Sequence, residues 1–266
     1  MRWRLFTLSL GVALVLGVFT LYAAAHPAKP APPDSEAMCG TPSARELVQS
    51  PFARFWMQLQ GVALTARQNE KAEPEKRIVI NLFEKKLYFY DQGKLVKSYP
   101  VAIGKEETPS PVGNYRVVHK DKDWGDGFGP RWMGLNVPWG IYGIHGTNKP
   151  WSVGTEASGG CFRMHNEDVI ELWDQVPLNT PVDIIGPEPQ DPMRIHYRPG
   201  VLGQDVVRLQ LRLKAMGFPL EVVDGRYSSE TEEAVKAAQA FFGLQPNGQA
   251  EEDLLWLLGF REAKVR

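Results

Sequence analysis

The sequence predicts an α+β protein: a β-rich, sandwich- or barrel-like domain, then a small three-helix module, behind an N-terminal apolar export or anchor helix. Three observations lead there. Short runs of β-type residues punctuated by turn residues begin at Arg77. Helical periodicity with its own stop signals takes over after the proline-rich stretch Gly186 to Pro192. An uncharged run of about twenty residues, the length that crosses a bilayer, opens the chain.

In that opening segment, residues 1–25, Arg2 and Arg4 precede Leu5 to Ala25. The length of the run favours an uncleaved anchor, whereas Ala23-Ala24-Ala25 before His26 offers a signal-peptidase site. The positive flank holds the N-terminus in the cytoplasm on either reading, so the body of the protein is expected on the far side of the membrane. Residues 26–76 read as a spacer and an amphipathic helix. Four prolines between His26 and Pro33 stiffen the spacer. Ser50-Pro51 then starts a helix with Phe52, Phe55, Trp56, Leu59 and Val62 on one face, packed on the next domain or lying on the membrane.

Residues 77–186 form the β-rich domain. Strands are expected at Ile78 to Leu82, Leu87 to Tyr90, Leu95 to Ile103, Tyr115 to His119 and Ile141 to His145, with a tight turn at Asp91-Gln92-Gly93. Asn166 is expected to cap a helix carrying Val169, Ile170, Leu172 and Trp173. A linker, 187–196, leads to the module at 197–262. There Asp205 is expected to cap a helix with Val206, Leu209, Leu213 and Met216, stopped by Gly217. Ser229-x-x-Glu232 reads as a capping box for a second helix with Ala234, Val235, Ala238 and Phe242, stopped by Gly243. Leu254, Leu255 and Leu258 mark a short third helix.

A formal net charge of −1 gives no global electrostatic basis for binding nucleic acid. The chemistry concentrates between His145 and Cys161, one of two cysteines in the chain. A cysteine nucleophile needs a base, an oxyanion hole and a group that orients the base. His145 can be the base, and Gly159-Gly160 leaves bare backbone before the sulfur. Pro150, Gly154 and Gly159 make the intervening segment a loop that folds back to bring histidine and cysteine together. A zinc site drawn from His145, Cys161 and His165 lacks a second close pair of ligands, so no metal and no cofactor are expected. Cys39 has no evident partner if Cys161 is catalytic.

His145-Gly-Thr147-Asn-x-Pro150, then Ser158-x-Gly160-Cys161-x-Arg163-Met164, resembles the signature of the L,D-transpeptidase (YkuD-like) catalytic domain. Pro100 to Lys105, Thr108-Pro-Ser-Pro-Val-Gly113, Gly129 to Asn136 and Thr180 to Ile185 extend the resemblance. In the module, Gly203-x-Asp205-Val206-x-x-Leu209-Gln210, Val223-Asp224-Gly225-x-Tyr227 and Thr231-x-x-Ala234-Val235 resemble the peptidoglycan-binding domain 1 family, with Ser228-Ser229 in place of a Gly-containing turn.

The resemblance implies cysteine-dependent acyl transfer on peptidoglycan stem peptides, giving 3→3 cross-links through a thioester at Cys161, on the cell-wall or periplasmic side of the membrane. The module would bind peptidoglycan glycan or stem peptide, and an uncleaved N-terminal segment would add a membrane contact. The implied roles are His145 as base, the Gly146 carbonyl as its orienter, backbone N–H groups of Gly160 and Cys161 as oxyanion hole, and Arg163 as carboxylate ligand. Ser158, Gly159, Thr147, Tyr142, Trp132 and Asn136 complete the implied substrate surface. Gly159 stands where some family members carry His or Arg. Two alternatives are an L,D-carboxypeptidase, with water as acceptor, and a wall-binding protein with a decayed catalytic domain. His145 and Arg163 are expected to lower the thiol pKa, and the module to act as a separate tether.

Overall fold

The computed structural model describes residues 75–260. The apolar segment 1–25, most of the spacer and amphipathic-helix region 26–76, and Cys39 lie outside the described residues. Among the described residues no helix is long and apolar enough to cross a membrane.

The β-rich part is built on one eight-stranded mixed sheet with strand order β3-β2-β1-β10-β5-β6-β7-β9. The strands are β1 (Lys76–Asn81), β2 (Lys86–Asp91), β3 (Lys94–Pro100), β5 (Gly113–Asp121), β6 (Trp132–Leu135), β7 (Tyr142–His145), β9 (Phe162–Arg163) and β10 (Pro181–Ile185). β4 (Ile103–Gly104) and β8 (Glu156–Ser158) pair separately. β5 pairs with both β10 and β6 and so joins the two halves of the sheet in one continuous ladder. β1 and β2 alternate, so Ile78, Ile80, Leu87 and Phe89 fill one face. Gln92 and Gly93 both take positive φ in the expected hairpin turn, the geometry that matches strand twist. The outer strand β3 is mostly exposed and carries Lys94 and Lys97, charges that discourage edge-to-edge pairing.

Helix α1 (Asn166–Gln175) packs Val169 and Leu172 into this core. His165, not Asn166, occupies its N-cap position, because the Asn166 side chain is used elsewhere, as described below.

A second core runs from Met193 to Phe260 and is built on α2 (Gln204–Ala215), α3 (Ser229–Phe241) and α4 (Glu252–Leu257). Two short strands, β11 (His196–Tyr197) and β12 (Ala250–Glu251), tie its ends together. Gly217 and Gly243 take positive φ and stop α2 and α3 as expected. The expected caps differ by a residue or more. Gly203 caps α2, and Asp205 is buried inside it, accepting from the Tyr197 hydroxyl at 3.0 Å and pairing with Arg194 at 3.0 Å. Ser228 caps α3 without a side-chain bond, so Ser229-x-x-Glu232 does not close a capping box.

The two cores touch. Glu188 pairs with Arg208 at 3.1 Å, and the Asp191 carbonyl accepts from the same arginine at 2.8 Å, so the linker lies against the module. Asn114 of β5 exchanges two bonds with Val223, its N–H donating to the Val223 carbonyl at 2.6 Å and its Oδ1 accepting from the Val223 N–H at 2.9 Å. Trp139 packs against both cores.

Asp205→Ala removes the oxygen acceptor of the buried Tyr197 hydroxyl and the partner of Arg194, so it is expected to destabilise the module by about 2 kcal/mol. A urea midpoint for the module transition that matches the parent protein would show that the carboxylate contributes nothing there.

Candidate active site

His145 ends β7 and Arg163 ends β9, and the two strands pair in parallel with His145 opposite Arg163 and Ile144 opposite Phe162. A parallel pair needs a long crossover, here the segment from Gly146 to Cys161 with a 3-10 turn at Pro150–Ser152. The register therefore sets Cys161 beside Gly143, two residues before His145 on β7, with its Sγ 3.8 Å from the Ile141 carbonyl oxygen. Cys161, His145, Arg163, Ser158, Gly159, Thr147 and Lys149 line a cavity of about 440 Å³. Lys149, Ser158, Gly159 and Arg163 also line an adjoining groove of about 880 Å³ with Lys105, Glu107 and Trp151. Two recesses thus meet at the turn that carries the sulfur.

The His145 ring is buried, and its Nδ1 lies 2.5 Å from the Gly146 carbonyl oxygen. A side chain at Gly146 would run into Asn166 Oδ1 and Pro130, so only glycine lets the chain turn back on its own histidine here. Asn166 Oδ1 accepts the Thr147 N–H at 2.8 Å and pins the same peptide from the other side. Trp132 stacks beside the imidazole with centroids 5.5 Å apart, and Phe128 meets it edge-on at 4.9 Å.

Burial drives the His145 pKa down to about 4; the Gly146 and Phe128 carbonyls push it up, and the Arg163 guanidinium pushes it down. The imidazole is therefore neutral, and able to take a proton, across the neutral range. Burial also pushes the Cys161 thiol up, against the Gly143 N–H and the Arg163 guanidinium, which lower it. This corrects the expected lowered thiol pKa. Arg163 does favour the thiolate, but taking the sulfur out of water outweighs it.

Ser158 is buried and holds the nucleophile turn closed. Its hydroxyl donates to the Cys161 carbonyl at 2.6 Å and accepts the Gly160 N–H at 3.0 Å. Ser110 Oγ donates to the Gly160 carbonyl at 2.9 Å and accepts the Gly104 N–H at 2.9 Å. With its N–H already donated to Ser158, Gly160 is not placed as an oxyanion donor, and that expectation is corrected; the Cys161 N–H remains a candidate. The Arg163 guanidinium reaches Ser152 Oγ at 3.5 Å, and among the described residues none of the ion pairs involves it. Gly159 faces open space.

Two expected substrate contacts lie away from the cavity, and a third packs under the nucleophile turn. Trp132 is buried under His145, between it and Trp124, and has no surface to offer. Asn136 sits at the junction with the module, its carbonyl accepting from Arg226 at 2.5 Å and its Oδ1 accepting the Arg116 N–H at 2.7 Å. Tyr142 is half-buried, and its ring packs on Gly160. Asn166, Ser110 and Gly143 were not anticipated. Ser110 lies inside the quoted Thr108 to Gly113 motif, where its polar side chain between two prolines was a readable signal.

The L,D-transpeptidase catalytic domain family model, YkuD, matches residues 75–184, which contain both recesses. The Bacillus subtilis protein YqjB, named as an L,D-transpeptidase, is 33% identical over 120 residues, covering 40% of this chain and 68% of that protein. The chain belongs to the L,D-transpeptidase family. The Bacillus licheniformis protein YkuD, likewise named, is 44% identical over 108 residues, which cover 41% of this L,D-transpeptidase family member and 64% of the relative. The chain thus spans a little under two thirds of that relative. A solved catalytic domain of an Enterococcus faecium L,D-transpeptidase is 25% identical, with a TM-score of 0.38, covering 44% of this chain and 100% of that one. Residues 203–258 match a peptidoglycan binding domain family model, PG_binding_1.

With Cys39 replaced by Ser, iodoacetamide alkylation of Cys161 in this family member is expected to rise with a midpoint above the free-thiol value of about 8.5. Arg163→Ala should move the midpoint higher still, because the guanidinium is one of the groups that lower it. A parent midpoint below the free-thiol value would contradict the burial argument.

Proposed function

We propose that the chain catalyses L,D-transpeptidation on peptidoglycan stem peptides, with Cys161 as nucleophile and His145 as base. The observation that carries this reading is the shared cavity of Cys161 and His145, with His145 Nδ1 held by the Gly146 carbonyl, in a member of the L,D-transpeptidase family. With Nδ1 donating its proton to that carbonyl, Nε2 keeps a lone pair for the thiol proton.

The reaction runs in two acyl transfers. His145 Nε2 takes the Cys161 proton as the sulfur attacks the carbonyl of the third, diamino-acid residue of the donor stem. The tetrahedral oxyanion is met by the Cys161 N–H, a donor of a kind worth about 3 kcal/mol in acyl-transfer sites. Collapse breaks the bond to the terminal D-Ala, whose nitrogen takes the proton back from His145, and leaves a thioester. A side-chain amine of a second stem attacks the thioester and loses its proton to His145. Collapse then returns that proton to the sulfur, giving a 3→3 cross-link and the free thiol. Two recesses meeting at Gly159 and Arg163 suit two stems, and the unpaired guanidinium suits a stem carboxylate. The helical module adds affinity for the wall, and the N-terminal segment sets the enzyme on the extracytoplasmic side.

The test is incubation of the soluble part with defined tetrapeptide muropeptides, with products read by mass. The parent protein is expected to release D-Ala and form dimers, and Cys161→Ala to do neither. Products limited to monomeric tripeptide would assign water as the acceptor, and turnover by Cys161→Ala would overturn the mechanism.

A further inference from the structure

The module reaches the nucleophile turn through a continuous run of packed groups. Its loop from Val223 to Arg226 is seated on the β-rich part by the two Asn114 bonds and by Arg226 donating to the Asn136 carbonyl at 2.5 Å. Gly225 has φ of 74° and lies directly against Trp139: a Cβ there would sit 2.2 Å from the indole Cζ3. Trp139 also meets Tyr115 edge-on at 6.3 Å and Tyr142 at 6.5 Å. The Tyr142 ring in turn lies on Gly160, so close that a Cβ at Gly160 would be 2.7 Å from its Cε1. Gly160 immediately precedes Cys161.

We propose that the docked helical module positions the nucleophile turn, with Trp139 as the positioning residue between Gly225 and Tyr142. The inference rests on reading Cys161 as the nucleophile, and it gives the module a part in the chemistry beyond wall affinity. Two features of Trp139 carry it. Among the described residues it is the partly buried hydrophobic side chain that packs against both cores. Its Nε1 is buried and approaches the Tyr142 hydroxyl without forming a well-aligned hydrogen bond, so packing does most to hold the ring against Tyr142. The peptide at Gly160 is fixed by Ser158 and Ser110 at its polar groups and by Tyr142 at its α-carbon. Loss of the module's support frees the third of these. Close-packed groups do not leave such a gap unfilled, so Tyr142 is expected to shift toward Trp139 and the turn to loosen. Turnover of small soluble stems should then fall even though no wall is present to bind.

The experiment uses the full chain carrying Cys39→Ser, with Arg226→Ala, Trp139→Ala and Trp139→Phe. Measured for each are kcat and KM on a soluble tetrapeptide muropeptide, the pH midpoint of Cys161 alkylation by iodoacetamide, and the melting temperature. Arg226→Ala and Trp139→Ala are expected to lower kcat by about tenfold, the scale of a sub-ångström misplacement, with KM changed less than twofold. Their alkylation midpoint should move toward the free-thiol value as the sulfur gains water, and Trp139→Phe should recover most of both losses. Parent kcat and parent midpoint in Arg226→Ala and Trp139→Ala would overturn the proposal, whatever happens to the melting temperature. A loss confined to KM would also overturn it, by making Trp139 a substrate contact. The alkylation midpoint reads the turn without any enzyme assay, so it judges the positioning even if Cys161→Ala turns out to retain turnover and the reading of the nucleophile fails.

Discussion

The bond from His145 Nδ1 to the Gly146 carbonyl is the constraint on which the rest of the site depends. It closes a tight loop between adjacent residues, which requires that residue 146 have no side chain and that the following peptide be held. Asn166 does the holding from the first turn of α1. A carbonyl orients an imidazole as well as a carboxylate does, but it offers no negative charge to balance an imidazolium. In a buried ring stacked against Trp132 and Phe128, that difference decides the protonation state. The histidine is neutral at rest, and the half-buried thiol, its pKa pushed up by desolvation, keeps its proton. The site is a neutral pair that moves its proton only when a carbonyl arrives to take the sulfur.

The sheet explains why this pair forms at all. Parallel pairing of β7 with β9 brings together residues sixteen apart, and the crossover between them forms walls of both recesses. The turn before β9 would be free to move if its polar groups were left to water. Ser158 and Ser110 satisfy them internally instead, at the cost of one of the two expected oxyanion donors. Rigidity of the nucleophile and the number of free N–H groups around it are in competition here, and rigidity wins at Gly160.

Much of this was legible in the sequence where local chemistry decides the outcome. Alternation gave β1 and β2, Gln92-Gly93 gave the hairpin, and Gly217 and Gly243 gave the helix ends. The pairing of His145 with Cys161 was readable from residue chemistry and the fold-back loop, and the Gly146 carbonyl from motif resemblance; His145 and Cys161 line one cavity, and His145 Nδ1 meets the Gly146 carbonyl. What escaped depends on distant parts of the chain. All four residues of β6 are buried, so Trp132–Leu135 shows no alternation to read. Desolvation of the sulfur depends on distant segments packed around the turn, so the charged neighbours alone do not give the direction of the thiol's shift. Asp205 looked like a cap because caps are local, whereas its partners Tyr197 and Arg194 come from the strand and linker before it. Trp139 against Gly225 is a contact across two cores, and neither residue announces the other.

The central claim, a neutral His145 with its proton on Nδ1, is tested most directly by NMR of the full chain labelled with ¹⁵N-histidine, with the His145 signals assigned by their loss in His145→Gln. The account predicts a protonated Nδ1 and a bare Nε2 at neutral pH, unchanged until the pH falls toward about 4. An imidazolium at neutral pH, or a proton on Nε2 instead of Nδ1, would contradict it.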